Sequence, residues 1–143
     1  MAYSKQAQFI ECRNTGKILA SDSTKVSALA GITAQLFCEG ENSQPSYFKN
    51  CYNTSDLEGK AVLSGILADV SINSKKVMEG CYNTGNITGS YPTSSGGIIG
   101  ENAGMDIYNC YNTGTINVEN AKYGRGIGGH DDGSYTVANC YYL

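Results

Sequence analysis

The chain has 143 residues, 41% of them hydrophobic and 16% charged, with a net charge of -3. That is one domain's length with enough apolar content for a core, which excludes composition-driven disorder. The acidic balance and scattered Lys and Arg exclude a basic nucleic-acid stripe. No apolar run approaches the roughly 18 residues of a membrane span.

Eighteen glycines, eleven tyrosines, two prolines and no tryptophan describe turn-rich β structure. The first segment, "MAYSKQAQFIEC", has no hydrophobic signal-peptide core and reads as the start of a segment cut from a longer protein. "ECRNTGKIL" then introduces Cys12, and the same pattern returns in "NCYNTSDLEG", "GCYNTGNITG", "NCYNTGTIN" and, cut short, "NCYYL". The repeated cysteines are Cys12, Cys51, Cys81, Cys110 and Cys140, spaced 39, 30, 29 and 30 residues apart by subtraction.

Between them lies a second landmark, Gly-Ile, in "LAGITA", "LSGILA", "GGIIGE" and "RGIGGH". The segment "KVSALAGITAQLF" from Lys25 has some helical character, but its register with the Gly-Ile series predicts strand. The one long insertion, "CEGENSQPSY", begins at Cys38, outside the cysteine series, and contains Pro45. The one basic pair, Lys75-Lys76, reads as a solvated loop.

Further columns align on the cysteines. Three positions before them stand Phe9, Phe48, Met78, Ile107 and Val137; six positions after stand Ile18, Leu57, Ile87 and Ile116. Short glycine-punctuated strands at a fixed period predict an all-β chain. It is a β-solenoid of four to five coils of about 30 residues, a single domain over 1–143. Stacked coils lie about 4.8 Å apart, so equivalent residues form ladders.

Strand alternation assigns the faces. The cysteines point inward as a ladder of small apolar groups. Asn14, Asn53, Asn83 and Asn112 also point inward, where amides bonded to one another along the column satisfy their polar groups. The residue after Asn-Thr, such as Gly85, is expected to make the corner at positive φ, with Ser55 the exception. Six cysteines admit disulfides in an extracellular setting, but in-register side chains point in parallel, which favours free thiols. With one histidine and no C-x-x-C pair, neither a metal site nor a cofactor is expected.

Tyr52, Tyr82, Tyr111 and Tyr141 follow the cysteines directly, with Arg13 in the first repeat, and point outward; Tyr108 and Tyr142 extend the aromatic surface. Such a stripe packs edge to face along the sheet or forms a binding surface, and both readings stay open. His130 with Asp131 and Asp132 reads as a turn. "GRGIGG" from Gly124 owes its glycines to the Gly-Ile series rather than to a phosphate loop. Asp69, Glu79, Asp106 and Glu119 do not recur in one column beside Lys or Arg, so no catalytic residues are assigned.

"GGIIGENAG" followed by "IYNCYNTGTI" resembles the GLUG-type repeats of bacterial cell-surface proteins of Gram-positive and gut bacteria, among them adhesins and immunoglobulin A proteases. The resemblance implies a right-handed β-solenoid in an extracellular, cell-surface setting. The expected function is a non-catalytic stalk or binding segment of an adhesin-like protein. Its expected partner is a host protein, such as an immunoglobulin or mucin, or a glycan; no nucleic acid and no membrane insertion are expected. The alternatives are end-to-end self-association through the solenoid ends, and a polysaccharide-lyase-like β-helix enzyme.

Overall fold

The computed structural model describes residues 7–20, 27–37, 45–70, 75–90 and 94–143. Among these residues the structure is all strand and turn, and every strand pairing is parallel. The third coil shows the unit: Lys76–Glu79, Tyr82–Asn83, Ile87–Ser90, Ser94–Gly96 and Ile99–Asn102. Each of its five strands belongs to a different sheet. In the order a coil crosses them, the first and second sheets hold five strands and the third, fourth and fifth hold four. Four coils and the start of a fifth are therefore stacked among the described residues, as the cysteine spacing predicts.

Register confirms the aligned columns. Phe9, Phe48, Met78, Ile107 and Val137 are successive partners in the first sheet, and Ile18, Leu57, Ile87 and Ile116 in the third. Phe48, Met78 and Ile107 pack with the inner cysteines, Ile66 and Ile98 in the main core. Leu57, Leu63 and Ile87 form a second cluster beside it. The segment over Ala28–Ala30 and Thr33–Leu36 is strand, not helix; Lys25, Val26, Cys38 and most of the long insertion lie outside the described residues.

The asparagine column forms a continuous amide ladder. Asn14 Nδ2 donates to Asn53 Oδ1, Asn53 to Asn83 and Asn83 to Asn112, each at 2.7 Å. The second hydrogen of each amide goes to the carbonyl two residues on: Gly16, Ser55, Gly85 and Gly114. Asn53, Asn83 and Asn112 are buried, so these bonds remove the cost of burying three amides.

The glycine of each of the first three Gly-Ile pairs faces this ladder. A Cβ on Gly65 would lie 2.5 Å from Asn83 Cγ and 2.3 Å from the Gly97 carbonyl. Gly31 stands in the same way against Asn53, and Gly97 against Asn112. The two repeated landmarks are thus one packing device, in which each coil's amide closes over the glycine of the coil before.

The positive-φ corner is not where the sequence pattern puts it. Gly85 is absent from the left-handed positions; the recurring ones are Glu11, Asn50, Gly80, Asn109 and Asn139, at φ between 53° and 64°, and Gly104, Asn120 and Gly133 are further left-handed residues outside that series. The sharp turn therefore precedes each cysteine, at residues among which Asn and Gly tolerate that conformation best. Gly85 is required for a different reason: a Cβ there would meet the Ser55 carbonyl at 2.0 Å. Lys76 also differs from expectation. It sits in a strand at 1% exposure, in register with Ser46 and Met105, and its Nζ donates to the Ala103 carbonyl at 3.0 Å.

Gly65→Ala is expected to lower unfolding free energy by about 3 kcal/mol, because backbone and a buried amide must both move. Gly16→Ala is the control: the nearest atom to its Cβ is Asn14 Oδ1 at 4.0 Å, so its stability stays within about 0.5 kcal/mol of the parent. Urea titrations of the two variants check this contrast.

Candidate binding face

The two-residue strands of the second sheet carry the residues singled out for binding. Tyr52, Tyr82, Tyr111 and Tyr141 are successive register partners, with Arg13 beneath Tyr52. Inward cysteine and asparagine on either side hold Tyr52, Tyr82 and Tyr111 outward, and Tyr141 stands between Cys140 and Tyr142. Tyr52, Tyr82 and Tyr111 are half-buried, and Tyr141 is exposed.

The rings stack face to face rather than edge to face. Tyr52 and Tyr82 have centroids 4.8 Å apart, Tyr82 and Tyr111 5.0 Å, both with planes at 2°. The coil spacing dictates this arrangement, because identical rotamers one rung apart are parallel. Both faces of Tyr82 are therefore covered, and the ring edges and hydroxyls remain accessible. Partial burial, then the neighbouring phenols, raise the Tyr82 hydroxyl above its ordinary pKa. At the foot of the stack the Tyr52 phenol, in register with Arg13, raises the guanidinium's pKa further. Thr15, Thr54, Thr84 and Thr113 line the ridge, all exposed.

Tyr142 does not join this surface. It pairs with Asn112 and so occupies the asparagine column in the fifth coil, over Gly126, whose added Cβ would meet its ring. Tyr108 does face outward, half-buried, beside Glu79 in the first sheet.

The inward cysteines are free thiols in Cys12, Cys51, Cys81, Cys110 and Cys140. Each Sγ donates to the carbonyl two residues earlier, as Cys81 does to Glu79 at 3.5 Å. Cys81 Sγ also accepts the Cys51 N–H at 3.4 Å. Contact with the Cys110 thiol, followed by burial, pushes the Cys81 pKa up to about 12; contact with Cys81 and burial likewise raise Cys51. Both stay protonated at neutral pH and act as core.

The acidic residues are less scattered than the sequence suggests. Gln35, Asp69, Glu101 and His130 are successive partners in the fifth sheet, with Gln35 Nε2 donating to Asp69 at 3.1 Å and Ser94 Oγ to Glu101 at 3.0 Å. His130 lies in the strand Gly128–Asp131 rather than in a turn, tilted against Tyr123 with centroids 4.8 Å apart. Basic partners are also present: Lys49 approaches Glu79 at 4.0 Å and Arg125 approaches Asp131 at 2.7 Å. Glu101 was the residue overlooked, and counting from the Gly-Ile pair places it in one column with Asp69. Among the described residues, no three His, Cys, Asp or Glu side chains gather in a way that could hold a metal ion.

With the columns in place, the matched family model covers most of one repeat length. Residues 91–117 match the GLUG motif. The GLUG segment takes in the glycine pair at Gly96 and Gly97, the first-sheet strand Met105–Tyr108 and the Cys110–Asn112 corner. It is consistent with a GLUG-type repeat region, and the chain is a β-solenoid module carrying that motif. Nothing among curated proteins or solved structures matches the chain.

The raised Cys81 pKa has a defined consequence. The unfolded thiol ionises near its ordinary 9.0, whereas the folded one holds its proton to about 12. Its contribution is therefore complete below pH 9 and is lost as pH rises toward 12. The stability difference between the parent and Cys81→Ala should narrow over that range in urea titrations at stepped pH; a constant difference would contradict it.

Proposed function

We propose that this module is a non-catalytic binding segment of an extracellular, adhesin-like surface protein. In this reading the tyrosine ridge engages a host protein. The observation that carries it is the ridge itself: phenol edges and hydroxyls run over successive coils, bordered by exposed threonines and by Arg13. Interfaces favour Tyr and Arg because they combine apolar area with hydrogen bonding. A sugar ring stacking on Tyr82 would need a free ring face, and its neighbours cover both. The repeat also suits a stalk, since each added coil extends the same surface.

Self-association through the solenoid ends is a second reading, supported by apolar side chains exposed on the outermost coils: Ile10 at 54%, Leu19 at 57% and Val137 at 49%. Unpaired strand edges are templates for further strands. Sedimentation velocity over a concentration series decides it: growing species support it, and a constant monomer removes it.

For the ridge, Tyr82→Ser with Tyr111→Ser should weaken capture of immunoglobulin or mucin in a serum and mucus pull-down by at least tenfold. Circular dichroism should show an unchanged β spectrum. Equal capture by the variant would place the partner elsewhere on the module.

A further inference from the structure

The outward face of the third sheet carries a different kind of surface. Its central column is Glu58, Thr88 and Asn117, in register on three successive coils. Lys17, Asp56, Asn86 and Thr115 border it on one side, five positions after each cysteine, and enclose a furrow of about 400 Å3. Lys60, Ser90 and Glu119 border it on the other, enclosing about 360 Å3. Both furrows run along the stack because the columns do.

Two of the bordering side chains are held in place by the coil above. The Asn86 N–H donates to Asp56 Oδ1 at 2.8 Å, and the Thr115 N–H donates to Asn86 Oδ1 at 3.1 Å. Asp56 and Asn86 are exposed and each is anchored at its Oδ1, which lowers the ordering cost left for a ligand. Thr88 and Asn117 are exposed and make no side-chain hydrogen bond among the described residues.

We propose that this face is a second binding site, and that its ligand is an extended, uncharged oligosaccharide lying along the solenoid axis. Three features select that chemistry. Every rung carries a hydroxyl, carboxamide or carboxylate in the central column (Glu58, Thr88 and Asn117), about 4.8 Å apart, so a polymer of repeated hydroxylated units meets a hydrogen-bonding partner at every step. The charges nearly balance: Lys17 and Lys60 against Asp56, Glu58 and Glu119 leave 2 - 3 = -1, and Lys17 is already paired with Glu58 at 2.9 Å. Such a floor complements a neutral polyol and offers nothing to a polyanion. The furrow volumes also fall within the several hundred Å3 of small-ligand sites. The site is separate from the tyrosine ridge, and the two are testable apart.

Calorimetric titration of the purified chain with neutral glucan and mannan oligosaccharides of increasing length, and with a uronic-acid oligomer, tests the assignment. Neutral oligomers should bind, with affinity rising until the ligand spans the three coils. Thr88→Val with Asn117→Val should weaken binding at least tenfold, whereas Tyr82→Ser with Tyr111→Ser should leave it unchanged. Should the double variant prove unstable, the isosteric Thr88→Val alone carries the comparison. Four results would each overturn the proposal. These are no binding of any neutral oligomer, tighter binding of the uronic-acid oligomer, unchanged binding by the furrow variants, or loss of binding in the tyrosine variant.

Discussion

The amide ladder from Asn14 to Asn112 is the constraint on which the rest of the structure depends. Each inner asparagine bonds to the coil above, the coil below and its own corner carbonyl. Removing one strands groups on both neighbours, at a cost of about 1–3 kcal/mol for each buried group left unpaired. The ladder also sets register. A one-residue slip would exchange asparagine for tyrosine and send a phenol into a space sized for an amide against glycine.

Much of the surface follows from that choice. With Cys and Asn fixed inward, the residue between them must face out, and the coil spacing then makes its ring parallel to the next. One sheet further along each coil, the same rule produces the Glu58–Thr88–Asn117 column. A solenoid presents strips rather than pockets, because each outward position is stacked on its equivalent in the next coil. Chemistry that suits such strips is repetitive itself, in a flat protein surface or a polymer, whereas a single catalytic centre needs side chains that break the repeat. The repeat is least kept in the fifth sheet, with Gln35, Asp69, Glu101 and His130 all different in one column, and in the third, with Leu19, Glu58, Thr88 and Asn117.

Columns were legible wherever a residue type recurs at constant offset from the cysteine, as Phe48, Met78 and Ile107 do, or Thr54, Thr84 and Thr113. Residues that break type within a column were not. Lys76 looked solvated because its neighbour is Lys75, yet its offset matches Ser46 and Met105 on the inner face. Tyr142 looked like more of the aromatic stripe, yet its offset is that of the asparagines. The left-handed corner was hidden for a related reason. Glu11, Asn50, Gly80, Asn109 and Asn139 differ in type, and the more uniform glycine after Asn-Thr drew attention away from them. In a solenoid the offset from the repeat landmark predicts a side chain's position better than its hydropathy does.

By itself the sequence determined the period, the order of columns and their inward or outward sense, because alternation along a strand and repetition between coils are properties of spacing alone. Only the tertiary structure decided which columns meet across the coil. The contact of Gly65 with Asn83, the face-to-face closure of the tyrosines and the furrows beside Thr88 depend on how separate corners approach through space. That approach is set by side-chain volume and hydrogen-bond geometry in three dimensions, which the period of a repeat does not encode.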